Sequence, residues 1–290
     1  MPVHPSLQPP PPFFPRLKKT LLDICKADRD STTRRSAGYP RILLAILGSA
    51  PKHVAQALVD NVADTLIQLA TAVVVEPSST PQSPASATLD EDMHFLGPDD
   101  SSIVANVHAR NVLSALIRDV TTGGLLSAHV PRIYHLAVTG FASKNYGLRN
   151  ASMLLFAALQ CRVVGSKMVR DDDAAQNLLS ARKFFALYPG IRDEMLERLP
   201  LLLQEETESN PELFLHLSAL NWLRASPMEA SRNSRGSTMA LRPLLRRASS
   251  SADWKIRKIA ARACVSIEAP NCLNEQLMDV KRELETGKTI

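Results

Sequence analysis

The sequence predicts an all-α fold, an α-solenoid of HEAT- or armadillo-like helical repeats, on three observations. Glycine is scarce, at 11 of 290 residues, and aromatics make up only 5%, a balance that suits helices better than glycine-punctuated sheets. Apolar residues recur at i, i+3 and i+4 along much of the chain, the spacing of a buried helical face. Two distant stretches also repeat one signature, an aromatic, a gap, an aliphatic and an arginine opening an apolar helix. They are Asn145-Tyr146-Gly147-Leu148-Arg149-Asn150 and Asp253-Trp254-Lys255-Ile256-Arg257-Lys258. Helical hairpins of ~40 residues stack in such arrays. A stacked repeat has no single catalytic pocket by default, which directs the search for function to surfaces and partners.

The elements follow in order. Residues 1–14 are proline-rich and read as a disordered lead, after which Pro15 opens a helix through Leu17, Leu21, Leu22 and Ile24. Between Pro40 and Val75 the apolar rhythm gives two helices separated by Gly48 to Pro51, so 15–75 form a first group of repeats. Residues 76–102 are rich in Pro and Ser and carry the acidic patch Asp90, Glu91 and Asp92, and so read as a flexible loop. The second repeat region, 103–290, opens with a helix through Ile103, Val107, Val112, Leu113 and Ile117. A stop is expected at Gly123-Gly124 and a restart from Leu125. The helix Leu148 to Val164 is apolar on nearly every face and is expected at the centre of the core. Beyond a charged loop at Lys167 to Asp173, the periodicity predicts helices over Ala174–Leu187, Ile191–Gln204, Pro211–Arg224, Thr238–Arg247, Trp254–Ile267 and Asn271–Leu284.

Composition narrows the function classes. A net charge of +5 allows contact with nucleic acid or acidic proteins without requiring it. The four cysteines, Cys25, Cys161, Cys264 and Cys272, form no Cys-x-x-Cys pair, and buried, reduced thiols are expected. The N-terminus is broken by prolines and lacks the apolar core of a secretory signal, and no apolar run approaches the ~20 residues of a membrane span. A cytoplasmic protein without membrane attachment is expected, so the glycosylation-type triplet Asn150-Ala151-Ser152 is discounted.

Catalytic hardware is thin. The seven histidines show no His-Glu-x-x-His spacing, and no glycine-rich phosphate loop or nucleophile elbow is present. Asp171-Asp172-Asp173 reads as a solvated loop rather than a magnesium site, because adjacent side chains diverge. No enzyme, no cofactor and no metal site are expected. One stretch stands apart: Arg34-Arg35-Ser36-Ala37-Gly38-Tyr39-Pro40, at the start of an apolar helix. Arginine forks grip phosphate or carboxylate, and small residues leave the backbone open to a partner. The alternative is a helix-start turn in which the arginines pair with Asp28 or Asp30.

Three blocks together resemble the THADA-like family of large helical-repeat proteins. Arg34 to Pro40 is similar to the family's Arg-Arg-Ser-Ala-Gly-(aliphatic)-Pro motif, with Tyr39 departing from the aliphatic position. The second block runs from Asn106-Val107-His108-Ala109-Arg110-Asn111 through Ile117-Arg118-Asp119 to Gly140-Phe141 and Tyr146 to Phe156. The third is Phe184-Phe185-Ala186-Leu187-Tyr188-Pro189, followed by the Arg257 to Ala263 helix. Family proteins are much longer, so the chain resembles a section of one. The resemblance implies a non-catalytic partner of an FtsJ-like tRNA 2′-O-methyltransferase, supporting ribose methylation in the anticodon loop, at nucleotide 32, with tRNA in the complex. It assigns Arg34, Arg35, Ser36, Ala37, Gly38 and Pro40 to binding the partner or tRNA. Tyr146, Arg149, Asn150, Trp254 and Arg257 are expected to be structural repeat positions, the arginines bonding neighbouring carbonyls or carboxylates. Arg35, two residues before Ala37, reads as a looser third copy of that element. The rival class is a general helical-repeat scaffold with no tRNA role.

Overall fold

A computed structural model describes residues 13–25, 36, 38–71, 100–164, 179–204, 210–224 and 238–267, with 278 and 281 in isolation. The structure is helical almost throughout these residues, in two compact units, 1–127 and 128–290.

The first unit holds α1 (Phe13–Cys25), α2 (Tyr39–Gly48), α3 (Lys52–Thr71), α4 (Asp100–Arg118) and α5 (Val120–Leu125). Helix α4 packs on each of the other four and is the spine of the unit. Its Val104, Val112, Leu113, Leu116 and Ile117 are buried together with Leu43 and Leu47 of α2 and Leu58, Val62 and Leu66 of α3. Burying a leucine-sized side chain stabilises by about 1.5–3 kcal/mol, so this layer, not helix propensity, holds the unit.

The same spine carries buried polar groups with a defined task. The carbonyl of Ala70, in the last turn of α3, has no partner further along its own helix. Asn106 Nδ2 and Arg110 Nη1, one turn apart on α4, donate to it at 2.9 and 3.1 Å. Arg110 is buried, and burial lowers its pKa to about 10, which leaves it charged at neutral pH. The block Asn106 to Asn111 therefore closes the end of α3 from the side.

The second unit contains α6 (Val130–Phe141), α7 (Tyr146–Val164), β1 (Leu179–Ser180), α8 (Ala181–Leu187), α9 (Pro189–Leu202) and α10 (Pro211–Leu220). These are followed by β2 (Leu223–Arg224), a 3₁₀ turn (Met239–Leu241), α11 (Arg242–Ser249) and α12 (Trp254–Ile267). The pairs α6/α7 and α11/α12 are hairpins with short turns, and α10 packs against α6, α9 and α12. A buried polar chain crosses this core. Tyr134 Oη of α6 lies 2.9 Å from His216 Nδ1 of α10, and His216 Nε2 lies 3.7 Å from Glu212 Oε1. Arg198 of α9 donates to both Glu212 oxygens at 2.8 and 3.0 Å. Burial pushes the Glu212 pKa up, but neighbouring His216 and the Arg198 fork outweigh it and hold the carboxyl at about 2.

Several sequence expectations shift. The break expected at Gly123-Gly124 lies at Asp119, whose extended backbone (φ −66°, ψ 139°) starts α5. Its carboxylate accepts from Thr121 N and Thr122 N at 3.0 and 2.8 Å, and both glycines lie inside α5. An N-cap that satisfies two orphan donors outcompetes the weak helix-breaking of glycine, about 1 kcal/mol. The next long helix restarts at Val130, with Pro131 in its first turn, rather than at Leu125. Helix α4 begins at Asp100, inside the stretch expected to be a loop over 76–102.

Helix α8 begins at Ala181, not Ala174, because Ser180 caps it by accepting from Lys183 N. Helix α10 ends at Leu220, short of Arg224. Leu179–Ser180 instead pairs in parallel with Leu223–Arg224, Leu179 opposite Leu223. Two residues per strand are too few to leave a periodic signal. The helix expected at Thr238 starts as a 3₁₀ turn and becomes α11 at Arg242. Cys161 is exposed rather than buried, on the outer face of α7 with Met153. Helix α1 begins at Phe13, inside the stretch expected as a disordered lead over 1–14 and ahead of Pro15. The rest of that lead, the charged loop at Lys167 to Asp173 and nearly all of the helix expected over Asn271–Leu284 lie outside the described residues.

Candidate partner-binding site

The motif Arg34 to Pro40 begins α2, and the described part of it is mounted on α4. Ser36 has φ 68°, a left-handed conformation that serine adopts at a cost of roughly 1–2 kcal/mol. Its side chain is fully buried, and Asn111 Nδ2 of α4 donates to Ser36 Oγ at 3.1 Å. Its carbonyl accepts from Tyr39 N at 3.2 Å, turning the chain into α2. Gly38 is the N-cap, and its carbonyl accepts from Ile42 N at 3.0 Å, while Pro40 sits in the first turn, where a missing N–H costs nothing. The Tyr39 ring meets His108 of α4 edge-on, centroids 5.5 Å apart. Burial lowers the His108 pKa, which favours the neutral ring in this contact.

The motif therefore divides. Ser36 points inward as an anchor, and Gly38 is exposed. A Cβ at Gly38 would meet nothing closer than Ile42 Cδ1 at 3.8 Å among the described residues, so no described neighbour demands glycine there. Arg34, Arg35 and Ala37, and the Asp28 and Asp30 offered as their partners, lie outside the described residues. Asn111 and His108 belong to the positioning of this motif although the sequence offered no local sign of it. Asn111 bonds across 75 positions of chain, and no periodicity registers such a contact.

The five repeat positions fall in two equivalent turns of the second unit. Arg149 Nη1 donates to the carbonyls of Ser143 and Lys144 at 2.9 and 2.6 Å. Arg257 Nη1 donates to those of Ser251 and Ala252 at 2.8 and 2.7 Å. In each turn a serine Oγ accepts the backbone N–H two residues on, Ser143 Oγ from Asn145 N and Ser251 Oγ from Asp253 N. The Asn or Asp side chain then accepts from the first helical turn, from Leu148 N or Lys255 N. Tyr146 and Trp254 open the two helices and are exposed at 72% and 58%. Each has a cation over its ring, Arg149 at 5.9 Å and Lys258 at 5.7 Å. Asn150 is exposed. The arrangement is a pair of rigid turns that present an aromatic ring and a positive charge outward.

Among the described residues no three His, Cys, Asp or Glu side chains converge as a metal-ligand set, and no helix is long and apolar enough to cross a membrane.

Comparison with known proteins gives two family matches that meet near residue 148, inside the second compact unit rather than at its boundary. Residues 15–147 match the family described as THADA/TRM732, DUF2428, and residues 149–288 match the one described as Trm732, C-terminal TPR repeats. TPR repeats are also helix pairs, so the description is consistent with an α-helical repeat architecture. A protein of Gallus gallus named tRNA (32-2′-O)-methyltransferase regulator THADA is 31% identical over 86% of this chain and 12% of its own length. The Homo sapiens protein of the same name is 32% identical over 80% of the chain and 11% of its own length. The Schizosaccharomyces pombe protein named tRNA (32-2′-O)-methyltransferase regulator trm732 is 26% identical over 83% and 15%. The chain thus spans well under a fifth of the length of these relatives. No solved structure matches it significantly. With both family descriptions matched in sequence order over nearly the whole chain, the protein belongs to the THADA/Trm732 family.

Proposed function

We propose that this chain serves as part of a non-catalytic regulator of a cytoplasmic, FtsJ-like tRNA 2′-O-methyltransferase, supporting ribose methylation at nucleotide 32 of the anticodon loop. The observation that carries the reading is the similarity, over 80–86% of the chain, to relatives each named as a tRNA (32-2′-O)-methyltransferase regulator. The geometry supports a positioning role. Ser36 is pinned to α4 through Asn111, which fixes where the chain enters α2 and leaves Gly38 facing solvent. A regulator of this kind holds enzyme and RNA together and raises the effective concentration of a mobile loop at the active site. Arg34 and Arg35 contact RNA phosphate or the enzyme, and the methyl-transfer chemistry belongs to the partner.

The test is Arg34→Ala with Arg35→Ala, assayed for co-purification with the methyltransferase and for 2′-O-methylation of nucleotide 32. Loss of methylation is expected. If the arginines hold phosphates, the log–log salt slope of tRNA binding becomes shallower by about 0.7–0.9 per lost contact. Loss of enzyme binding with an unchanged slope assigns them to the protein interface. Intact methylation in cells lacking the chain, with neither enzyme nor tRNA recovered, overturns the reading in favour of a general scaffold.

A further inference from the structure

The last described hairpin concentrates the positive charge of the protein. Helices α11 and α12 and the turn between them carry seven arginines and lysines against one acid, Asp253, a surplus larger than the +5 of the whole chain. Asp253 is committed to its own helix start, accepting from Lys255 N at 2.8 Å. Helix α12 buries Ile256, Ala260, Ala263 and Ile267 on one side. On the other side Lys255, Lys258 and Arg262 stand at i, i+3 and i+7, a spacing that aligns them in one row. All three are exposed, and among the described residues none of them makes an ion pair. Lys258 covers one face of the Trp254 ring, and the ring remains 58% exposed.

Arg262 also lines a cavity of about 870 Å³ between α7, α10 and α12. Phe156 and Trp222 line it, ring centroids 4.7 Å apart, together with Phe214 and with Asn221, whose amide is bonded to Leu217 O and Ser266 Oγ.

We propose that the outward face of α12 formed by Trp254, Lys255, Lys258 and Arg262 binds single-stranded RNA, Trp254 stacking on a base while the three cations hold phosphates. A row of unpaired cations alone would suit any acidic partner. The exposed tryptophan at the head of the row favours nucleic acid, because a large ring held open beside positive charge is the stacking platform of single-strand binders. It favours unpaired RNA over a duplex, whose bases are stacked on each other and offer no free face. The inference rests on the proposed tRNA role for the identity of the natural RNA, and the binding itself is measurable without it.

The experiment is fluorescence anisotropy of the full chain with a fluorescein-labelled 12-nucleotide single-stranded RNA between 50 and 200 mM salt. Three phosphate contacts on a single strand contribute about −2 to the log–log slope. The triple variant Lys255→Ala, Lys258→Ala, Arg262→Ala is expected to lose that contribution, and Trp254→Ala to weaken binding about 5- to 150-fold with the slope unchanged. Circular dichroism verifies that these surface variants keep their helix content. The proposal is overturned if the triple variant binds with wild-type slope, if Trp254→Ala binds as wild type, or if duplex RNA binds as tightly as the single strand. Equal binding of poly-glutamate with the same salt dependence overturns it in favour of an acidic protein. RNA binding through α12 with no effect of the chain on nucleotide 32 leaves the inference standing and removes the proposed function. Normal support of methylation without α12 binding does the reverse.

Discussion

Arg149 and Arg257 each use one guanidinium nitrogen to hold two successive turn carbonyls, those six and five positions before them, at 2.6–2.9 Å. The two turns share a serine, an Asn or Asp, an aromatic and the arginine at the same spacing, and both join the helices of a hairpin in the second unit. Hydrogen bonds from a charged group contribute about 1.5–3 kcal/mol where they are sheltered and less where they are wet. Arg149→Ala is therefore expected to lower stability by about 1.5–3 kcal/mol. Arg257→Ala, whose bonds are solvent-exposed, is expected to cost about 0.5–1.5 kcal/mol. Urea midpoints at constant m-value measure both. A larger loss for Arg257→Ala would contradict the geometry.

Ser36 offers a sharper contrast. Ser36→Ala removes the acceptor for Asn111 Nδ2 and keeps the left-handed backbone, so a loss of about 1 kcal/mol is expected. Ser36→Gly removes the same acceptor but relieves the left-handed cost, and should be less destabilising than alanine although glycine enlarges the unfolded ensemble. Asn111→Ala should add little once Ser36 is already alanine, a coupling that a double-mutant cycle reads directly. Equal effects of alanine and glycine at position 36 would mean that the positive φ is not populated in solution.

The buried Glu212 makes a prediction about acid. Its folded pKa of about 2 lies below the ordinary 4.5, so its contribution is fully present above pH 4.5 and is lost as pH falls from there towards 2. The size is on the order of 3 kcal/mol. Glu212→Gln should flatten the pH dependence of stability across that window relative to wild type, measured as the difference between the two unfolding midpoints at each pH. A variant that retains the full acid dependence would show that Arg198 and His216 do not act on this carboxyl.

Asp119 is the break between α4 and α5, and Asp119→Ala is expected to cost about 1 kcal/mol through the loss of its two N-cap bonds. Hydrogen bonds from Thr122 hold its carboxyl below the usual range, so the contribution persists well into acid. Faster amide exchange at Thr121 and Thr122 in the variant is the local signature.

The helical class was legible in the sequence because packing writes a 3.6-residue period into it. The stripe Ile256, Ala260, Ala263 and Ile267 is as plain in the letters as in the structure. The turn at Arg149 was legible because all its partners lie within six residues. What the sequence hid was long in chain distance or short in extent. The Ser36–Asn111 bond joins residues too distant for any window, and the Leu179–Leu223 pairing is too brief to show alternation. At 119–124 the letters misled, since a glycine pair is a conspicuous stop signal and a single capping aspartate is a quiet one.

Gly38 gives the motif an unusual diagnostic value. Most glycines at bends report on their own chain, because a side chain there would collide or strain the backbone. This one has an ordinary φ of −88°, and a Cβ there would make only an ordinary van der Waals contact with Ile42 among the described residues. A small side chain at Gly38 displaces none of the described residues, so a loss of enzyme or RNA binding on substitution there, with helix content and unfolding midpoint unchanged, points to a second molecule. The position thus serves as a reporter that the described packing leaves accessible, and a photo-crosslinking residue placed there would name its neighbour.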